Sequence, residues 1–169
     1  MQEVDKAVAP VVIWLQGGPG SSSLFGLFEI HGPISAVFPG NATSGHTTAV
    51  LNPNSWNRKA NMIYIDNPVG AGFSFADPEG LPSTQSDVAD DLYEFLVQFY
   101  TLFPNYRGNQ FYAFGESYGG KYVPTIGRRI HEMNKVSDFK INLRGLGIGN
   151  GWIAPEDSSL YADFLYQVR

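Results

Sequence analysis

The chain has 169 residues, 43% hydrophobic and 14% aromatic, enough to bury a substantial core in one globular unit. A formal net charge of -5 excludes the basic surface that nucleic acid demands, so no nucleic-acid partner is expected. No apolar run is long enough to span a membrane, and the absence of cysteine excludes disulfides and thiolate metal sites.

Val11–Leu15 is a continuous apolar, largely β-branched run, the pattern of a strand buried on both faces. It runs into Gln16-Gly17-Gly18-Pro19-Gly20-Ser21-Ser22-Ser23. Glycines this dense after a buried strand let backbone N–H groups converge on one spot and receive negative charge. The same turn also reads as a tight connection, with serine capping the segment that begins at Leu24. From His31 to Arg58 the chain is rich in Gly, Pro, Asn and Thr and predicts surface loop with a short hairpin. Within it, Asn41-Ala42-Thr43 is a glycosylation acceptor sequence, and Trp56 is expected to bury against the sheet.

Asn61–Asp66 predicts a second buried strand, ended by Asn67-Pro68 and followed by the Gly-punctuated loop Val69–Ser74. Asp66 precedes the candidate nucleophile described below, which favours a loop-stabilising role over that of a triad acid. Ser86–Phe103 is the clearest helix. Ser86 can cap it, Asp87, Asp90 and Asp91 suit its first turns, and Val88, Leu92, Phe95, Leu96, Phe99 and Leu102 recur at helical spacing before Pro104 stops it.

Gln110–Phe114 predicts a strand and Lys121–Met133 a helix, with Pro124 tolerable only near a first turn. Gly115-x-Ser117-x-Gly119 therefore sits at a strand-to-helix turn, the setting of a nucleophile elbow; the alternative reading is a Gly-rich turn that merely ends a strand. A serine there takes a strained backbone conformation that lifts its hydroxyl above the sheet. Leu143–Asn150 reads as a Gly-rich strand and Ser158–Val168 as a helix. Strands alternating with helices predict an α/β fold, a mostly parallel sheet with helices on both faces. The three histidines, His31, His46 and His131, lie far apart without metal-ligand spacing, and each is assigned a structural or surface role.

Three stretches in order carry a resemblance: Trp14–Leu24, Tyr64–Ser74 and Gly115–Pro124. Together they resemble the serine carboxypeptidase family, most closely its vitellogenic carboxypeptidase-like branch, which has glutamine at the Gln16 position. The likeness runs over nearly the whole chain. It implies an α/β-hydrolase core, no cofactor, and removal of C-terminal amino acids from peptides and proteins in a secreted, lysosomal or vacuolar setting.

By this resemblance Ser117 is the nucleophile, forming an acyl-enzyme with the last peptide carbonyl. Backbone N–H groups of Gly18 and Tyr118, one from each Gly-rich turn, hold the oxyanion. The substrate's terminal carboxylate falls to Glu116, Gln16 and Gly17, with Trp14 close by. Two carboxyl groups at short range cannot both be ionised cheaply, so Glu116 is expected to act as the neutral acid and cleavage to favour acid pH.

The chain departs from the family at Ile30, where many relatives carry glutamate; here Glu29 stands one place earlier. Ser21 for cysteine and Gly119 for alanine are smaller changes. In this fold the base follows the serine and an acid in sequence, and only His131 follows Ser117. Fourteen residues along a helix place it roughly 21 Å away, so it cannot be the base. The family's aspartate and histidine lie in a C-terminal part, and Met1–Lys6 lacks the layout of a signal peptide. The chain is thus expected to be a single partial hydrolase domain, residues 1–169, a central segment inactive alone. An acyltransferase or esterase on the same scaffold, or a noncatalytic remnant, are the alternative readings.

Overall fold

The computed structural model describes residues 5–37, 47–158 and 165–168. The acceptor site at Asn41, His46 and most of the predicted helix Ser158–Val168 lie outside them; residues 155–158 form a short helix, α3. The core is a four-stranded, all-parallel sheet built from β1 (Val11–Leu15), β4 (Asn61–Tyr64), β5 (Phe111–Glu116) and β6 (Leu143–Gly149), in the order β4-β1-β5-β6. A separate antiparallel pair, β2 (Ile34–Val37) and β3 (Thr48–Leu51), supplies the expected hairpin.

Alternation along β1 and β5 divides the sheet into two faces. Val11, Ile13 and Leu15 of β1 and Phe111 and Ala113 of β5 point into one fully buried core. That core is closed by α1 (Gln85–Leu102) and α2 (Gly119–Val136). Both helices share this face. On the other face Trp14 pairs in register with Tyr64 and Phe114, and the covering comes from His31 and Trp56 rather than from a long helix.

Three local expectations are corrected. The cap of α1 is Thr84 rather than Ser86: its side chain accepts from Asp87 N–H while the Asp87 carboxylate accepts from Thr84 N–H, a reciprocal pair that neutralises two orphan donors. The buried stripe of α1 is Val88, Ala89, Leu92, Tyr93, Leu96 and Tyr100, whereas Phe95 and Leu102 are exposed. Both tyrosines turn inward and rotate the apolar face away from the simple aliphatic reading. Finally, β4 is an edge strand, half-buried along its length rather than buried on both faces.

Helix α2 begins two residues earlier than expected and ends three later, with Pro124 within its first two turns. Pro124 is the sixth residue, beyond the first turn where the sequence reading placed it, and its ring removes the N–H that would otherwise bond Gly120 O.

Candidate active site

Strand β5 ends in a sharp reversal. Ser117 has φ 56°, in the left-handed region that a residue with a side chain rarely enters, and α2 starts two residues later. Ser117 N–H donates to Gly149 O at 3.0 Å, and Ser117 O accepts from the N–H groups of Gly120 at 2.9 Å and Trp152 at 2.8 Å. The flanking glycines answer to sterics rather than to φ. A Cβ on Gly115 would sit 2.6 Å from Leu15 O, and one on Gly119 2.8 Å from the same oxygen. The Gly-x-Ser-x-Gly spacing is therefore what lets the elbow lie against the end of β1.

The second Gly-rich turn meets the first. Beyond Leu15 the backbone passes Gly18 at φ 114° and Gly20 at φ 83°, and Ser21 N–H closes the turn on Gly17 O at 3.1 Å. A Cβ on Gly17 would lie 2.5 Å from Tyr118 N, 2.7 Å from Glu116 O and 2.8 Å from Ser117 Cβ. Gly17 is thus flush against the elbow. The candidate oxyanion residues Gly18 and Tyr118 stand on the two sides of this contact.

Beside Ser117, Glu116 turns inward. Its Oε2 accepts from Gln16 Nε2 at 2.9 Å, and Gln16 Oε1 accepts from Trp14 Nε1 at 3.0 Å. Trp14 and Gln16 are buried and Glu116 is partly buried. The four residues predicted to hold a terminal carboxylate, Trp14, Gln16, Gly17 and Glu116, are brought together within one corner of the sheet. Glu29 is exposed and Ile30 is 42% exposed, on the short π-helical turn Gly26–Ile30, and the Glu116 carboxyl is met by the Gln16 amide.

Asp66 anchors the loops around this corner. Its Oδ1 accepts from Ser22 Oγ at 2.5 Å and Ser23 N–H at 2.9 Å, and its Oδ2 accepts from Phe73 N–H at 2.8 Å. Ser23, fully buried, in turn accepts from Gln16 N–H at 3.0 Å. The loop-stabilising role expected of Asp66 has a definite form: one carboxylate ties the turn after β1 to the loop after β4.

Several neighbours were not legible in sequence. Gln85 Nε2 donates to Tyr118 Oη at 3.0 Å, and the Tyr118 ring packs against Tyr122 and Trp152. Asn150, at φ 45°, turns the chain so that Trp152 reaches Ser117 O; its place in Gly149-Asn150-Gly151 was the available signal. His31 is buried in an aromatic box, stacked on Trp56 at 4.2 Å and edge-on to Trp14 at 4.3 Å. Burial holds its imidazole below the ordinary value and pushes the Tyr64 phenol, which contacts His31 Nδ1 at 3.0 Å, up to about 12. Trp56 packs on Trp14 and Phe114 of the sheet, yet it is 41% exposed rather than buried. His131 lies exposed in α2. Among the described residues no cluster of three or more His, Cys, Asp or Glu could hold a metal, and no helix is long and apolar enough to cross a membrane.

A strained serine between a parallel strand and a helix, with a Gly-rich turn from the neighbouring strand packed against it, defines an α/β-hydrolase core. Comparison with known proteins carries this further: the sequence profile of the family described as serine carboxypeptidase matches residues 2–169, and the chain belongs to that family. It is 50% identical over 162 residues to a protein named probable serine carboxypeptidase CPVL from Mus musculus, covering 95% of this chain and 32% of the relative. It is 46% identical over 165 residues to the venom serine carboxypeptidase of Apis mellifera, covering 97% of this chain and 34% of the relative. Among solved structures, the prohormone-processing carboxypeptidase Kex1(delta)p from Saccharomyces cerevisiae superimposes with a TM-score of 0.82 at 34% identity, over 94% of this chain and 34% of that one. The chain spans about a third of the length of the curated relatives it matches.

Proposed function

We propose that this chain carries the nucleophile, the oxyanion turn and the carboxylate-binding corner of a serine carboxypeptidase that releases C-terminal amino acids from peptides and proteins. The observation that carries the reading is the packing of Gly17 against the elbow, because it sets the Trp14–Gln16–Glu116 line beside the Ser117 hydroxyl.

In this reading Ser117 Oγ forms a bond to the last peptide carbonyl carbon, and its proton passes to a general base. The charge on the carbonyl oxygen is held by the N–H groups of Gly18 and Tyr118, whose positions are fixed before substrate arrives. The C–N bond then breaks, the base returns the proton to the leaving amine, and water releases the acyl group from Ser117. His31 is committed to Tyr64 and the aromatic stack, His46 precedes Ser117 in chain order, and His131 lies exposed in α2. The base and its orienting acid are therefore assigned to sequence outside these 169 residues, which together form one partial hydrolase domain. Exopeptidase choice comes from the terminal carboxylate, received by Gln16, Gly17 N–H and Glu116. The setting inferred from the family is the secretory pathway.

The test uses the longest gene product that contains this segment. Fluorophosphonate labelling is compared with a Ser117→Ala control, and release of the last residue from N-blocked dipeptides is compared with turnover of simple esters. Labelling lost in Ser117→Ala and a preference for free C-terminal carboxylates are expected. Labelling that persists in the variant, or simple esters turned over in preference to free C-terminal carboxylates, would overturn the assignment.

A further inference from the structure

The carboxylate corner depends on the direction of one side-chain amide. Gln16 can present either its oxygen or its nitrogen toward Glu116, and only the latter offers N–H groups to a carboxylate. An indole nitrogen is a donor only, so Trp14 Nε1 draws Gln16 Oε1 toward itself and leaves Nε2 facing Glu116. The polarity of the corner is thus set by the tilt of the Trp14 indole.

Three residues outside the sheet fix that tilt. His31 meets the indole edge-on at 4.3 Å with an interplanar angle of 81°, and Trp56 meets it at 6.0 Å and 88°. These two are locked to each other, stacked at 4.2 Å and joined by Trp56 N–H donating to His31 O at 2.9 Å. Gly26 supplies the third constraint by what it lacks. A Cβ there would lie 2.4 Å from Trp14 Nε1 and 2.5 Å from its Cδ1, and the three nearest atoms all belong to Trp14. Nothing in the Gly26 backbone requires glycine; the indole does. His31 Nε2 is buried without a hydrogen-bond partner, so no hydrogen bond from that nitrogen competes with the packing of the ring.

We infer that Gly26, His31 and Trp56 are positioning residues for C-terminal carboxylate recognition: they hold the Trp14 indole in the one orientation that aims the Gln16 amide nitrogen into the carboxylate corner. This rests on the reading of that corner given above. None of the three touches substrate. The 26–58 segment, a connection by composition, is in this account part of the specificity apparatus.

The test uses the longest gene product that contains this segment and two probes, N-acetylphenylalanine and N-acetylphenylalaninamide, which differ only in the terminal carboxylate. Affinities come from titration calorimetry, and the Trp14 indole N–H is followed by nitrogen-15 NMR, assigned through Trp14→Phe. The wild-type chain is expected to prefer the acid. Gly26→Ala and His31→Ala should each reduce that preference by about tenfold, the worth of one hydrogen bond to a charged group, and should abolish exchange protection of the indole N–H. His31→Phe, which keeps a flat ring in the stack, should retain both. If His31→Ala fails to fold, Gly26→Ala decides, since the three atoms nearest the methyl group it adds all belong to the indole. Retention of the acid preference and the indole protection in Gly26→Ala overturns the inference while leaving the carboxylate corner intact. Retention of the preference in Gln16→Ala, or its absence in the wild-type chain, overturns the corner itself and the inference with it.

Discussion

The most direct check on the geometry is Gly17→Ala. Ordinary contacts of a Cβ begin at about 3.4 Å, and the new methyl would stand 2.5 Å from Tyr118 N and 2.7 Å from Glu116 O, so the two turns must part by close to 0.9 Å. The atoms in the way are backbone, and no rotamer change relieves them. Overpacking of this kind costs about 1–3 kcal/mol, and the upper end applies where the obstruction is a rigid turn. For a chain of this size, about 3 kcal/mol corresponds to a melting temperature lower by roughly 6–12 °C. The assay is the urea midpoint followed by tryptophan fluorescence, with an unchanged slope required for the stability reading. Two other glycines calibrate it. Gly108→Ala meets nothing within 4 Å and should fall within about 0.5 kcal/mol of the parent. Gly20→Ala has equal room but a φ of 83°, so it should lose only the roughly 1–2 kcal/mol of left-handed strain. A Gly17→Ala chain as stable as Gly108→Ala would refute the convergence of the two turns, and with it the oxyanion assignment.

Asp66→Asn replaces one acceptor with a donor that must face Ser22, Ser23 or Phe73, and should cost about 2 kcal/mol; loss of amide exchange protection at Ser23 and Phe73 would localise it. Thr84→Ala should lower stability by about 1 kcal/mol by urea titration, while Ser86→Ala, which caps nothing, should be near neutral. Because burial lowers the His31 pKa below the ordinary 6.5, the unfolded chain takes up this proton first as pH falls. Its contribution is therefore full above about 6.5 and declines as pH drops toward the folded-state value, and His31→Phe should flatten the slope of stability against pH in that window. Asp87, whose carboxylate is lowered by backbone N–H bonds from Ser83 and Thr84, acts at lower pH, in the carboxylate range, so the two effects separate in a pH series of denaturation midpoints.

What sequence disclosed here was local and periodic. The apolar run of β1, the Gly-Ser-Gly turn after β5 and the capped helix α1 each carry their signal within a few residues, and each formed where expected. The cap itself was readable: Thr84 stands three residues before Asp87, the spacing of a reciprocal pair, though the intervening Ser86 competes for notice. Strand β4 was misread because its apolar character says nothing of whether a further strand lies beside it. The aromatic box was illegible for a different reason. Trp14 and Tyr64 stand on β1 and β4 while His31 and Trp56 lie in the connection between those strands, and their stacking depends on where that connection folds back, which no period encodes. Likewise Gly17 looked like a source of an N–H group, whereas its tightest constraint is the absent side chain.

The strand order explains how the strained serine is held. A residue such as Ser117, at φ 56°, stores roughly 1–3 kcal/mol, and such a conformation persists only where its surroundings over-determine it. Here β5 lies between β1 and β6, and each neighbour acts on the elbow. From the β1 side, Leu15 O abuts both motif glycines and Gly17 fills the hollow beneath Tyr118 N. From the β6 side, Gly149 O accepts from the Ser117 N–H, and the left-handed turn at Asn150 brings the Trp152 N–H onto the Ser117 carbonyl. Both peptide groups of the serine are thereby satisfied from the β6 side, while in the proposed reading the anion-directed amides are divided between the turn after β1, at Gly18, and the elbow itself, at Tyr118. The division matters chemically. The β1 packing and the β6 hydrogen bonds together hold Ser117, so in the proposed reading the Gly18 N–H can face a developing oxyanion without itself bonding the peptide groups of the nucleophile.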